Sequence, residues 1–189
     1  MFAAFLDACA LVPASLADTL LGAAERGLFR PLWSNEVLDE AERAVMRVHP
    51  DLAPSRVRRR FRVMGEAFPD AGVTGYEAMT SGLELPDPDD RHVAAAAAMG
   101  RADVLVTFNV RDFPTAAMPE GVEVVHPDDF LLAQVDLYEV ECIDLVRQQA
   151  AAMRHPPMDV HDVLISLGRA GVPGFARAVS PLLDSRGGS

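Results

Sequence analysis

Residues 87–114 read DPDDRHVAAAAAMGRADVLVTFNVRDFP. Three elements follow one another here without ambiguity. Pro88 and the acids around it open a helix, the alanine-rich run His92 to Met99 continues it, and Gly100 closes it. Asp103 to Thr107 is a strand, short and apolar at its centre, and Asn109 to Pro114 is a turn. Downstream, Gly121 to Val125 predicts another strand, and a helix starts at Pro127. Upstream, FAAFL at 2–6 is apolar throughout, the pattern of a strand buried on both faces, and it ends at Asp7. A helix is expected from Pro13 to Arg26, closed by Gly27, then a short strand over Phe29 to Trp33. Ser34 is placed to cap a helix that His49-Pro50 stops, and a further helix spans Pro54 to Phe68. Residues 69–86 read as loop with room for a short strand. Strands alternating with helices predict an α/β fold with a central, mainly parallel sheet between helical layers. From about 135 the pattern is purely helical: one helix over Val135 to Met153 broken by His155-Pro156-Pro157, a second over Asp159 to Arg169, and a third over Pro173 to Asp184. The expected organisation is a sheet domain over 1–135, a helical extension over 136–184 and a frayed tail over 185–189.

Composition bounds what such a chain can do. Half of the 189 residues are hydrophobic, enough for a packed core. Two cysteines, Cys9 and Cys142, build neither a disulfide framework nor a four-ligand zinc site. No apolar run reaches the length of a membrane span. The N-terminal stretch lacks a basic region and contains Asp7, so it is read as folded chain rather than a signal peptide, and the expected location is cytoplasmic. The net charge of −11 argues against a uniformly basic binding face. Yet between Arg43 and Arg62 stand seven arginines and a single acid, Asp51. Arg56, Arg58, Arg59, Arg60 and Arg62 form either a solvated helix face or an electrostatic rail for a phosphate backbone.

Ligands of an open parallel sheet bind beyond the carboxyl ends of its strands. Asp7 follows the first strand there, Asn109 and Asp112 follow the strand at 103–107, and Asp90 starts a helix after a loop. Carboxylates brought together repel unless a cation screens them, and hard oxygen donors point to Mg²⁺ or Mn²⁺ rather than zinc. Each acid alone has a simpler role, such as capping a helix or a turn. The set is what points to chemistry. His92, His126 and His155 are scattered and read as surface or satisfied histidines; Cys9 reads as a buried thiol.

Four pieces in order make the chain similar to PIN domains, of the bacterial VapC-type toxin class or a close relative. They are FAAFLDACALVP at 2–13, SNEVLDEAER at 34–43, PDPDDRHVAAA at 86–96 and DVLVTFNVRDFP at 103–114, the last being the most specific. The resemblance covers about two-thirds of the chain. It implies that Asp7 and Asp90 are the principal metal ligands and that Asp112 completes the acidic cluster, directly or through water. Glu40 would ligate metal or orient the attacking water, ahead of its neighbour Glu36 one helical turn earlier; Asp90 is preferred likewise to Asp87. Thr107 would hold the turn or a water. Asn109 stands where many relatives carry another acid, which would mean one carboxylate fewer. The implied activity is Mg²⁺-dependent (or Mn²⁺-dependent) hydrolysis of single-stranded RNA to 5′-phosphate and 3′-hydroxyl ends. Arg56, Arg59 and Arg60 would hold the RNA backbone. The implied partners are a cognate antitoxin and a second copy in a homodimer.

Two other readings compete. A catalytically weak or inactive PIN-like module that binds RNA or a partner is kept open by Asn109. A phosphoacceptor receiver or an aspartate-nucleophile phosphatase would use Asp7 as its phosphorylated residue. It lacks support, because the chain has no lysine to pair with a phosphoryl group and no second acid at position 9.

Overall fold

The structure is a computed structural model that describes residues 1–154 and 156–185. His155 and positions 186–189 of the expected tail lie outside the described residues. The chain divides into two compact units, Met1–Val12 with Phe29–His126, and Pro13–Leu28 with Pro127 onward.

The first unit holds every strand of the described residues. The strands β1 (Ala3–Leu6), β2 (Arg30–Ser34), β3 (Gly72–Val73), β4 (Val104–Val106) and β5 (Glu123–Val125) lie in the order β3-β2-β1-β4-β5, and every pair is parallel. All four residues of β1 are buried, as its unbroken apolar pattern requires. Phe5 and Leu6 are fully buried, each contributing about 1.5–3 kcal/mol. The start of β1 is pinned to β4 by Asp103, whose Oδ2 accepts from the Ala3 N–H at 2.7 Å. After β1 the chain turns toward the β2 side, and after β4 toward β5. The crevice between the carboxyl ends of these neighbours is therefore the switch point where open α/β sheets take their ligands.

Helices flank the sheet: α1 (Ala8–Leu11), α3 (Asn35–Val48), α4 (Pro54–Ala67), α5 (Glu77–Thr80) and α6 (Arg91–Met99), with 3₁₀ turns at Pro88–Asp90, Val110–Asp112 and Thr115–Ala117. Ser34 caps α3 as its position predicts, accepting from the Val37 N–H at 3.2 Å. Gly100 closes α6 with ordinary right-handed dihedrals (φ −72°); the left-handed residue is Arg101, φ 53°. Gly100 is needed for space: a Cβ there would meet Val73 Cγ2 at 2.8 Å and Leu32 Cδ1 at 3.1 Å.

The second unit is helical: α2 (Ala14–Glu25), α7 (Pro127–Leu137), α8 (Glu139–Ala152), α9 (Val160–Arg169) and α10 (Pro173–Ser185). The helix expected over 135–153 starts later, at Glu139, and residues 135–137 belong to α7; Tyr138 leaves the helical region (φ −140°, ψ 54°) between the two. No glycine or proline marks the break; the Tyr138 N–H still bonds Gln134 O at 2.8 Å while its carbonyl accepts from Cys142 N at 3.0 Å, so the ladder hands over across one residue. Helix α2 packs on α8 and α9. A buried Thr19 hydroxyl bonds Gln149 Oε1 at 2.8 Å, and Gly22 lets Leu145 approach to where a Cβ would lie 2.5 Å from it. Asp128 accepts from the Gly174 and Phe175 N–H groups at 2.8 Å each and so caps α10. No helix among the described residues is long and apolar enough to cross a membrane.

Candidate active site

Asp7 begins where β1 ends. Its N–H bonds Val106 O at 3.1 Å, which ties it to the end of β4. Its side chain is 6% exposed and each oxygen has its own partner. Oδ1 caps α1 by accepting from the Ala8 N–H at 2.7 Å. Oδ2 accepts from the Thr107 hydroxyl at 2.6 Å and faces the Cys9 thiol at 3.1 Å. Thr107 is fully buried, and its oxygen in turn accepts from the Asn109 N–H at 3.0 Å. One hydroxyl thus fixes both the carboxylate after β1 and the turn after β4. The Cys9 thiol is pushed up to about 12 by burial and then by the Asp7 charge. It stays protonated and is no nucleophile.

Asp90 ends the 3₁₀ turn and stands at the N-cap position of α6, half-buried. Its side chain makes no capping hydrogen bond. Asp87 caps the preceding 3₁₀ turn, accepting from the Asp89 N–H at 2.9 Å. Burial raises the Asp90 pKa to about 6, and Asp7, Asp87 and Asp112 add to the rise; His92 offsets it. The field of Asp7 and Asp112 at Asp90 places three carboxylates from three separate segments in one neighbourhood. Glu40, on α3, is raised by burial, lowered by His92, and raised again by Asp7 and Glu36. Asn109 and Asp112 lie on the turn after β4, Asn109 exposed and Asp112 half-exposed.

His92, read from the sequence as a bystander, is buried against α3. Its Nε2 lies 3.1 Å from Glu40 Oε1 and its Nδ1 lies 3.6 Å from Glu36 Oε2. Tyr76 donates to the same Glu36 oxygen at 3.3 Å. The signal that could have found this group was the i,i+4 pair Glu36 and Glu40 together with a histidine two residues after Asp90. These side chains line a cleft of about 480 Å³ that also takes in Glu77 and Asp89.

The arginines of α4 divide by partner. Arg60 donates to Leu11 O at 2.8 Å and Val12 O at 3.4 Å, on the last carbonyls of α1, and lies over the Phe61 ring. Arg58 pairs with Glu42, and Arg62 with Glu66. Arg56 and Arg59 are exposed and make no ion pair or hydrogen bond among the described residues. Phe61 is core.

The donor chemistry suits a hard divalent cation. Asp7 and Asp112 lie near enough for their charges to act on Asp90, and a bound cation would relieve that repulsion; the ligand atoms within 4.8 Å of one another among the described residues are instead those of Glu36, Glu40 and His92.

Over residues 127–181 the chain matches the family model of the VapC50 C-terminal domain. It is 43% identical over 97 residues to a Mycobacterium tuberculosis (strain ATCC 25618 / H37Rv) protein named "Putative ribonuclease VapC50". That alignment takes in 51% of this chain and 57% of the relative, so the match spans little more than half of the relative's length. No solved structure matches significantly. The PIN domain family model matches residues 3–111, more than half of the chain and all of its acidic cluster but Asp112; on that match, the chain belongs to the PIN domain family.

Proposed function

We propose that the chain is a metal-dependent endoribonuclease that hydrolyses single-stranded RNA, the toxin of a toxin–antitoxin pair. The observation that carries this reading is that Asp7 and Asp112, which follow β1 and β4, lie near enough for their charges to act on Asp90, as the Asp7 charge also does on Glu40. The relative's printed name and the family support it. Asp7, Asp90 and Asp112 would hold Mg²⁺ or Mn²⁺. When bound, the ion supplies a water of lowered pKa and stabilises charge on the phosphate. Thr107 holds the Asp7 carboxylate in one orientation, and the turn it anchors sets Asn109 and Asp112 at the rim. Glu40, whose raised pKa makes it a better proton acceptor than an exposed carboxylate, orients the attacking water. In-line attack on phosphorus breaks the bond to the 3′ oxygen and leaves a 5′-phosphate and a 3′-hydroxyl. Arg56 and Arg59 hold the backbone phosphates, and Arg60 acts through α1 instead of touching RNA. An antitoxin that covers the acidic crevice and a homodimer complete the proposal.

The test is cleavage of a panel of single-stranded RNAs by partner-free protein with Mg²⁺ or Mn²⁺, beside EDTA, Asp7→Asn and Asp90→Asn. Loss of cleavage by 100-fold or more in all three controls is the expected result. A folded protein that retains RNA without cutting it would instead identify a binding module, the outcome that Asn109 favours.

A further inference from the structure

Glu36 and Glu40 stand one turn apart on α3, and like charges at that spacing repel. The imidazole of His92 lies within 4 Å of both. One nitrogen of that ring and one oxygen from each glutamate lie within 4.8 Å of one another. The His92 side chain is nine-tenths buried, and its Nδ1 has no hydrogen-bond partner. In a neutral imidazole one nitrogen donates and the other accepts. With Nε2 at 3.1 Å from Glu40 as the donor, the Nδ1 lone pair faces Glu36 Oε2, 3.6 Å away. Two acceptors then confront each other inside the protein, which costs free energy unless something positive lies between them. The cleft of about 480 Å³ beside them gives an ion a way in and leaves coordination positions for water.

We propose that Glu36, Glu40 and His92 form a second cation site, for a transition-metal dication such as Mn²⁺ or Zn²⁺. Nδ1 is the ligating nitrogen, and Nε2–H, turned to Glu40, fixes the tautomer as the outer partners of metal-bound histidines do. Two donor atoms can share an ion at about 2.1 Å only when they lie within about 4.2 Å of each other, and 3.6 Å satisfies that. Imidazole favours Mn²⁺ and still more Zn²⁺ over Mg²⁺, whereas the Asp7, Asp90 and Asp112 group is all oxygen. The two positions therefore differ in the ion they select. The site goes beyond the nuclease reading and shares only Glu40 with it.

The experiment uses the metal-stripped full chain, Mn²⁺ as probe and no RNA. Electron spin-echo spectroscopy of bound Mn²⁺ is expected to show coupling to an imidazole nitrogen in the wild type and in Asp7→Asn. Titration is expected to show this ion's Kd weakened at least tenfold in His92→Asn and in Glu36→Gln, and Mg²⁺ in tenfold excess failing to displace it. Wild-type Mn²⁺ without nitrogen coupling overturns the proposal, as does a Kd unchanged in both variants or loss of all binding in Asp7→Asn. The wild-type spectrum decides the matter even if His92→Asn does not fold. A nitrogen-bound ion in a protein that cuts no RNA would sink the nuclease reading and leave this one standing.

Discussion

Asp90 stands at the N-cap position of α6 without spending its carboxyl on a capping bond, and burial, then the neighbouring acids, make ionisation unfavourable. The consequence for stability has a definite sign. An acid whose pKa rises from 3.8 to about 6 on folding stabilises the metal-free fold below pH 4, and that contribution is lost as pH rises through 6. Because the group is half-exposed, screening reduces the effect to about 1 kcal/mol. EDTA-treated protein is therefore expected to melt a few degrees lower at pH 7 than at pH 4.5 on this account, and Asp90→Asn to flatten the difference. A thermal melt across that range checks it; an unchanged slope in the variant would show that other carboxyls set it. At this scale the sequence was informative about acids that follow strands, because position alone brings Asp7 to a carboxyl end. It was silent on His92, whose meaning depends on α3 lying against α6, and on Arg60, whose reach to the α1 carbonyls is tertiary.

Helix ends show how one residue can serve packing while the next absorbs the strain. Gly100 lets α6 approach β2 and β3, and the left-handed turn falls on Arg101. Gly100→Ala is expected to cost about 1–3 kcal/mol by overpacking, although alanine is the better helix former. Denaturant unfolding measures this, and a neutral result would mean that Val73 moves aside. On α4, Arg60→Ala is expected to lose about 1–2 kcal/mol because two carbonyls lose their donor. Arg59→Ala should stay within about 0.5 kcal/mol of wild type yet lower the salt dependence of RNA retention by roughly one phosphate's share. The reverse pattern would assign the rail to Arg60. Elements with strong punctuation were legible: Ser34, Gly27 and Asp159 mark real boundaries. The break at Tyr138 was not, since a backbone that hands its ladder over across one residue needs no special side chain there. β3, two residues long in a stretch rich in glycine and proline, was legible only as room for a short strand.

At the scale of the molecule, the units interleave along the chain: Pro13–Leu28 leaves the strands and belongs with the helices from Pro127 onward. Local patterning reports that α2 is amphipathic and says nothing about which distant helix it meets, so this grouping was invisible in the sequence. A chain ended after His126 keeps every described strand and every acid of the crevice. It strips α2 of α8 and α9, leaving Leu16 and Leu20 without their cover. Such a truncation is expected to be aggregation-prone or to melt far below the full chain; a soluble truncation with an unchanged melting point would show that α2 finds other support. The same interleaving sets a clock on the ribosome. Helix α2 is made early, but α8 begins at Glu139, and at about 5–20 residues per second the nascent α2 waits on the order of ten seconds for it. During that interval its apolar stripe has no partner within its own unit, so the growing chain depends on whatever shields that stripe until synthesis catches up.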